Sequence, residues 1–197
     1  MSNATILAIH AGKPAELQYS RRRVLSSIYK QPVTGPVMVH RLNVEGDEQA
    51  DLKVHGGPDK AVYCYSSEHY AAWAEELGRA FEFGFFGENL TVSGLLEQSV
   101  RIGDLLFVGG AVLQVSQPRL PCFKLGAKFG DQRFVGRFLK SGRSGFYCRV
   151  LREGFIERGE PIALESTGDD HLTVAQSISE VIGPAPRKPR SVSSAVR

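Results

Sequence analysis

The sequence has few cysteines and no long apolar run. Its three cysteines, Cys64, Cys122 and Cys148, are widely spaced and form no CxxC pair. This argues against a disulfide-stabilised scaffold and against a structural zinc site. Cys64 and Cys148 lie in strand-like segments beside tyrosines, so we expect both in the core. No apolar run is long enough to span a membrane, and no charged leader precedes an apolar segment, so we expect a cytoplasmic protein.

Several cofactor and electron-transfer motifs are also missing. The sequence contains no Walker A loop, no GxGxxG fingerprint and no Cys₄ iron–sulfur spacing. A redox function would therefore need electrons from a separate protein.

Excess positive charge is confined to the end of the chain. The formal net charge is +3, but the segment from Arg187 holds four cations and no acidic residue, so the body carries +3 minus 4, or −1. A nearly neutral body without a basic stripe argues against a nucleic-acid partner, and no membrane partner is expected. The Pro-, Ser- and Arg-rich composition of 184–197 predicts a disordered basic tail.

Most apolar segments are short and alternate as β-strands do, and 197 residues can bury one substantial core. Strands are predicted over 5–10, 37–42, 61–65, 89–92, 105–108, 111–115, 146–151 and 162–164. Gly109-Gly110 predicts a hairpin between two of them. Helices are predicted over 67–77, 132–139 and from 171 to about 181. Many short strands and few helices favour a mainly β protein, with a mostly antiparallel barrel or sandwich.

The segment PRLPCFK places one cysteine where a strand pattern ends and a helix can begin. Arg119 and Lys124 flank Cys122, and Pro121 is typical of a first helical turn. Positive charge and a helix N-terminus both favour the thiolate, which is a nucleophile and a soft metal ligand. The same local sequence also fits a buried thiol that fills space.

The segment HGGPDK predicts a tight loop before a strand. His55 and Lys60 flank Gly56 and Gly57, whose backbone N–H groups could point at a bound anion. The same pattern also fits an ordinary hairpin turn.

Two further polar residues follow glycines. Asn89 lies at the start of a strand, where its amide could bind the edge of a heterocycle or form a turn. Arg143, within SGRSG, could clamp a phosphate or remain a solvated surface charge.

The segments HGGPDKAV, FGENL, IGD, QPRLPC and SGFYCRVL occur in this order, with a closing GEPI. Together they resemble the MOSC family, named after the C-terminal domain of molybdenum cofactor sulfurase. The match covers about 27 to 164 and is most similar to a stand-alone bacterial branch linked to 6-N-hydroxylaminopurine resistance. It implies a MOSC-type β-barrel over 1–166. Because longer members continue into three helices, 167–183 is expected to be a helical remnant of a C-terminal small domain.

The resemblance implies a molybdenum cofactor (molybdopterin) and the reduction of N-hydroxylated small molecules to amines, with electrons from a flavoprotein reductase. Cys122 matches the family's molybdenum-ligating cysteine and is the expected catalytic residue. The expected cofactor-binding residues are His55, Gly56, Gly57, Lys60, Asn89, Arg119 and Arg143. The family is also associated with pyridoxal phosphate binding.

Two other functions also fit these residues. A carrier module could hold a persulfide on Cys122, or store and transfer the cofactor without turnover. A hydrolase could use Cys122 as its nucleophile and His55 as the base.

Overall fold

The computed structural model describes residues 4–50 and 56–183. Within these ranges the strands are β1 (Ala4–Ala11), β2 (Ala15–Tyr19), β3 (Arg22–Ser26), β4 (Gln31–Val33), β5 (Val37–Val39), β6 (Val62–Ser66), β7 (Leu90–Ser93), β8 (Leu105–Val108), β9 (Ala111–Pro118), β10 (Phe146–Arg152), β11 (Gly154–Ile156) and β12 (Pro161–Glu165). The helices are α1 (Glu68–Leu77), α2 (Phe123–Phe129), α3 (Arg133–Lys140) and α4 (Val174–Ile182), and a 3₁₀ turn covers Pro58–Lys60. None of the helices in these ranges is long and apolar enough to span a bilayer.

Seven strands close into a barrel, in the order β12, β8, β9, β10, β6, β7 and β1, with β1 pairing back onto β12. Strand β4 extends the sheet beyond β1, and β5 pairs separately with β11. Within the described ranges, β6 and β7 form the one parallel pair. The expectation of a mainly β, mostly antiparallel barrel with few helices is therefore confirmed.

Strand β6 separates two cores, because all five of its side chains are buried. Val62 and Cys64 point into the barrel, where Cys148 also lies. Tyr63 and Tyr65 point outward into an aromatic cluster that the helices cover. Both strand cysteines are thus core residues, as expected.

The aromatic cluster joins α1 to α3. Trp73 of α1 stacks on Phe138 of α3 with ring centroids 5.8 Å apart, and Phe134 packs against the same indole at 5.2 Å. Because Phe134 and Phe138 are four residues apart, they lie on one face of α3 and bury it against α1. This packing fixes the outer layer that supports β6.

The predicted strands all form, but the sequence patterns did not indicate β2, β3, β4 and β11. The β2–β3 hairpin is largely exposed and turns at Ser20, the one non-glycine with positive φ (54°) in the described ranges, so neither an apolar pattern nor a glycine marks it. The strand predicted over 37–42 ends at Val39, because the chain folds back there and Val39 pairs with Val44. The Gly109-Gly110 hairpin forms as predicted.

Helix α4 packs directly on the barrel. Val174 and Ile178 belong to the barrel core. Thr173 caps the helix through a reciprocal capping box with Gln176 and also bridges to Arg101. The helix predicted from 171 to about 181 is thus observed over Val174–Ile182 and packs on the barrel, whereas the tail predicted over 184–197 lies outside the described residues.

Replacing the cap tests whether α4 unfolds together with the barrel. Thr173→Ala should lower the free energy of unfolding by about 1 kcal/mol, because the first turn loses its acceptor. Ser179→Ala in the exposed part of the same helix is the matched control and should have little effect. Urea unfolding followed by tryptophan fluorescence should show one shifted transition. An unchanged midpoint would mean that the cap of α4 does not contribute to barrel stability.

Candidate functional site

A cleft opens beside the barrel, where the β9–α2 connection meets the segment after β3 and the start of β6. It encloses about 630 Å³, counting the solvent at its mouth. Five polar or ionisable residues that the sequence singled out line it: Lys60, Asn89, Arg119, Cys122 and Lys124.

Cys122 lies at the strand-to-helix corner, as predicted. It is the N-cap residue of α2, with extended backbone angles (φ −126°, ψ 176°). Pro121 precedes this cap, so its expected place in the first helical turn is wrong. The Cys122 side chain is half-buried and lines the cleft, whereas the other two cysteines are buried. Its position therefore agrees with an accessible thiol and not with one that fills the core.

A metal held by Cys122 would need further ligands. In the parts of the chain that the structure describes, no three His, Cys, Asp or Glu side chains converge to form a metal site. A metal at this thiol would therefore take its remaining ligands from groups other than those side chains.

Arg119 brings a buried positive charge to the cleft. Its guanidinium lies 5.3 Å from the ring centre of Tyr63 and 5.2 Å from that of Phe138. Its side-chain Nη1 is buried without a hydrogen-bond partner among the residues that the structure describes. Burial by itself would lower the pKa of Arg119. The electrostatic interactions with Tyr63, Tyr147 and Cys122 are larger in sum, so the pKa is raised above its usual value. A charged, buried donor without an acceptor is costly, and an anion in the cleft would satisfy it.

The glycine loop places Lys60 at the cleft, but its glycines do not line the cleft. Gly57 adopts a φ of 92°, which favours glycine, and its N–H donates to Gln49 Oε1 at 3.3 Å. Gly56 and Gly57 do not line the cleft, whereas Gln49 and Lys60 do. His55 lies outside the described residues.

Asn89 borders the cleft, but its amide is engaged within the protein. Its Oδ1 accepts the Tyr63 N–H at 3.0 Å, and its Nδ2 donates to Asp47 Oδ2 at 2.9 Å and to the His10 carbonyl at 3.3 Å. With its acceptor and its donors in use, Asn89 orients Asp47 and the start of β6.

Sequence reasoning missed a buried ion pair beside Asn89. Lys30 Nζ lies 2.5 Å from Asp47 Oδ1, and Asp47 also accepts the Gly12 N–H at 2.7 Å. Both side chains of the pair are nearly inaccessible, and both residues line the cleft. Burial lowers the pKa of Lys30, and its contacts with Asp47 offset this only in part. Asp47 lies in a polar loop without a recognisable motif, so only the fold shows the pairing.

Arg143 does not line the cleft. Its guanidinium lies 4.0 Å from the ring centre of Trp73 and pairs with Glu76, which also accepts from Arg137 at 2.6 Å. The hydrogen bond from Arg143 is the main reason that the pKa of Glu76 is lowered. The observed contacts of Arg143 therefore tie α1 to the loop after α3.

The pH dependence of stability tests the electrostatics next to the cleft. Burial lowers the pKa of Lys128 from 10.5 to about 8, against the attraction of Glu88 and with help from the Lys30 and Arg119 charges. Because the unfolded chain binds the proton more tightly, charged Lys128 destabilises the fold below pH 8, and the penalty disappears as the pH rises to about 10.5. The stability of the wild type relative to Lys128→Met should therefore rise by about 3 kcal/mol over this window.

The measurement is urea unfolding of both proteins at a series of pH values. Ser179→Ala is the control, because it removes no ionisable group and its stability difference from the wild type should stay constant with pH. If the stability difference between the wild type and Lys128→Met also stays constant with pH, the lowered pKa of Lys128 is contradicted.

Comparison with known proteins identifies the family. The MOSC domain matches residues 51–163. The uncharacterized protein YflK of Bacillus subtilis is 47% identical over 170 residues, which cover 86% of this chain and 77% of YflK. YiiM of Escherichia coli is 41% identical over 155 residues, or 77% of this chain and 69% of YiiM.

A longer relative and a crystal structure also match the chain. A protein of Gibberella moniliformis named "Reductase" is 40% identical over 145 residues, covering 72% of this chain but 26% of that protein. The crystal structure of YiiM from Geobacillus stearothermophilus is 40% identical with a TM-score of 0.74, and the match covers 89% of this chain and 82% of that one. The chain therefore belongs to the MOSC domain family and shares the fold of its stand-alone, YiiM-like members.

Proposed function

We propose that the protein is an oxidoreductase that reduces N-hydroxylated compounds, including bases such as 6-N-hydroxylaminopurine, to amines. The main support for this function is that a thiol and a buried guanidinium lie in one cleft. The half-buried thiol of Cys122 is a soft metal ligand, and the buried Nη1 of Arg119 is a cationic donor without an acceptor among the described residues. Membership of the MOSC family and the similarity to a protein named "Reductase" support the same reaction class.

The residues of the cleft fit a molybdenum cofactor. Such a cofactor combines a metal that accepts a thiolate with an anionic phosphate, and Cys122 and Arg119 offer the complementary groups. Lys60 and Lys124 add positive charge along the same cleft. When bound, the cofactor would supply the two-electron chemistry, while the protein supplies binding and orientation.

The overall reaction balances as R–NHOH + 2e⁻ + 2H⁺ → R–NH₂ + H₂O. The electrons come from a separate flavoprotein, and the protons must reach the cleft. Lys30 is suited to deliver a proton, because its pKa is lowered by burial and Asp47 holds its ammonium at the cleft wall. Asn89 acts as a positioning residue, since its amide fixes the Asp47 carboxylate.

Loss of the thiol should remove the metal. Cys122→Ser, purified from a host that makes the cofactor, should retain little molybdenum by elemental analysis. Turnover of 6-N-hydroxylaminopurine with a reduced viologen dye should fall by about 100-fold or more. Cys64→Ala is the control, because Cys64 lies in the barrel core, and this variant should keep its molybdenum.

Each outcome of this experiment separates the reduction from another function. Wild-type turnover by Cys122→Ser would refute the assignment. In the wild type, stoichiometric loss of sulfur from Cys122 without turnover would instead support a sulfur carrier.

Arg119 and Arg143 should differ in their effect on cofactor content. Arg119→Met should reduce cofactor content, because the buried cation that would meet an anionic group of the cofactor is removed, and should lower the free energy of unfolding by about 1 kcal/mol through loss of its two aromatic-ring contacts. Arg143→Met should keep the cofactor but lower the free energy of unfolding by about 1 kcal/mol, since the Glu76 and Trp73 contacts are lost. Phosphate released by acid per mole of protein and urea unfolding give the two readouts. Full cofactor content in Arg119→Met would contradict its anion-binding role.

A further inference from the structure

The β2–β3 hairpin lies against the start of α2, next to the candidate catalytic cysteine. The Tyr19 ring packs on Phe123, the residue after Cys122, with centroids 4.6 Å apart. Leu17 is buried, and Ser26 at the far end of the hairpin lines the same cleft as Cys122. The hairpin therefore forms part of the protein surface around the cleft.

The tip of this hairpin carries positive charge on the side that faces α2. Arg22 pairs with Tyr19 in the strand register, so both side chains lie on the same face of the hairpin. Arg23 projects from the opposite face and is paired with Glu16 at 3.0 Å. Arg21 and Arg22 are exposed, and neither has an ion pair with any residue that the structure describes.

Exposed apolar side chains lie at the adjoining corner. Leu120 and Phe123, on either side of Cys122, are 46% and 36% exposed, and Phe123 is the one that contacts Tyr19 of the hairpin. The turn that presents the arginines spans only two residues, and Gln18 Nε2 braces it by donating to the Ser20 carbonyl at 2.6 Å. The result is a surface with an apolar centre and a cationic edge.

We propose that this hairpin–corner surface, formed by Tyr19, Arg21, Arg22, Leu120 and Phe123, docks an electron-donor protein through an acidic face. The proposal rests on the proposed function, which needs two electrons from outside the chain. A small apolar centre with a complementary charged edge suits a transient complex in which charge sets the association rate. A donor bound here lies against Phe123, the neighbour of the residue that would hold the metal.

A nucleic acid fits this surface less well. The hairpin offers only two cations that lack an ion pair within the described ranges, and the side chains of Leu120 and Phe123 at the adjoining corner are exposed. Affinity for nucleic acids grows with the number of phosphates neutralised, and a chain body with a net charge of −1 offers no wider basic stripe.

The electron flow balances with a donor of the flavodoxin type. A reduced flavin hydroquinone gives up two electrons and two protons in all and becomes oxidised flavin. The electrons and two protons convert R–NHOH to R–NH₂ and water. No further reductant is needed.

The test uses an acidic FMN-containing flavodoxin as the probe and the full-length protein. Arg22→Glu should weaken flavodoxin binding about 10-fold by fluorescence titration, because an attractive charge becomes a repulsive one. Arg158→Glu makes the same charge change in the exposed β11–β12 connection, beside Ile6 of β1, and should bind like the wild type. Arg21→Glu repeats the test at the neighbouring position, in case one variant folds poorly. Added salt should weaken wild-type binding more than that of Arg22→Glu.

Turnover separates this proposal from the proposed function. With flavodoxin hydroquinone as donor, Arg22→Glu should raise the KM for flavodoxin while turnover with the viologen dye stays unchanged. No dye-driven turnover in the wild type, together with charge-sensitive flavodoxin binding, would refute the reductase but support the docking surface. Equal flavodoxin binding by the wild type, Arg22→Glu and Arg21→Glu would overturn the docking proposal. Tighter binding of a DNA duplex than of flavodoxin, lost in Arg22→Glu, would also overturn it.

Discussion

The burial of strand β6 on both faces is the constraint on which the site depends. Val62 and Cys64 fill the barrel, while Tyr63 and Tyr65 fill the aromatic cluster under α1 and α3. Because neither face can shift without exposing a core, the Tyr63 ring provides a fixed platform beside the cleft. The guanidinium of Arg119 lies over this ring, so the position of its charge follows from the packing of the barrel wall.

Asn89 extends the same constraint to the other side of the cleft. Its amide connects the backbone of Tyr63 to the carboxylate of Asp47, which in turn holds Lys30. A polar network of this kind is stable only if its members are satisfied, and here the partners come from β6, the loop after β5 and the segment before β4. Two cations of the cleft therefore differ in how readily they lose a proton. The pKa of Arg119 is raised, so it stays charged, whereas burial lowers the pKa of Lys30.

The sequence predicted the elements that have a strong local signal. Alternating apolar residues located the barrel strands, and the proline-flanked Cys122 located the β9–α2 corner. The exposed hairpin of β2 and β3 escaped detection, because its turn uses Ser20 at positive φ where a glycine would have marked it. Side-chain partners were the least predictable part of the site. Arg143 and Asn89 both looked available for a ligand, yet their contacts with Glu76 and Asp47 join segments far apart in sequence, which no local pattern encodes.

Whether Cys122 ligates molybdenum beside Arg119 can be seen directly in a crystal structure of the protein from a cofactor-producing host, with anomalous data collected on both sides of the molybdenum absorption edge. We expect one anomalous peak per chain, bonded to Cys122 Sγ, with an anionic group against the Arg119 guanidinium. A catalytically active protein whose cleft gives no such peak, or whose metal lies away from Cys122, would contradict it.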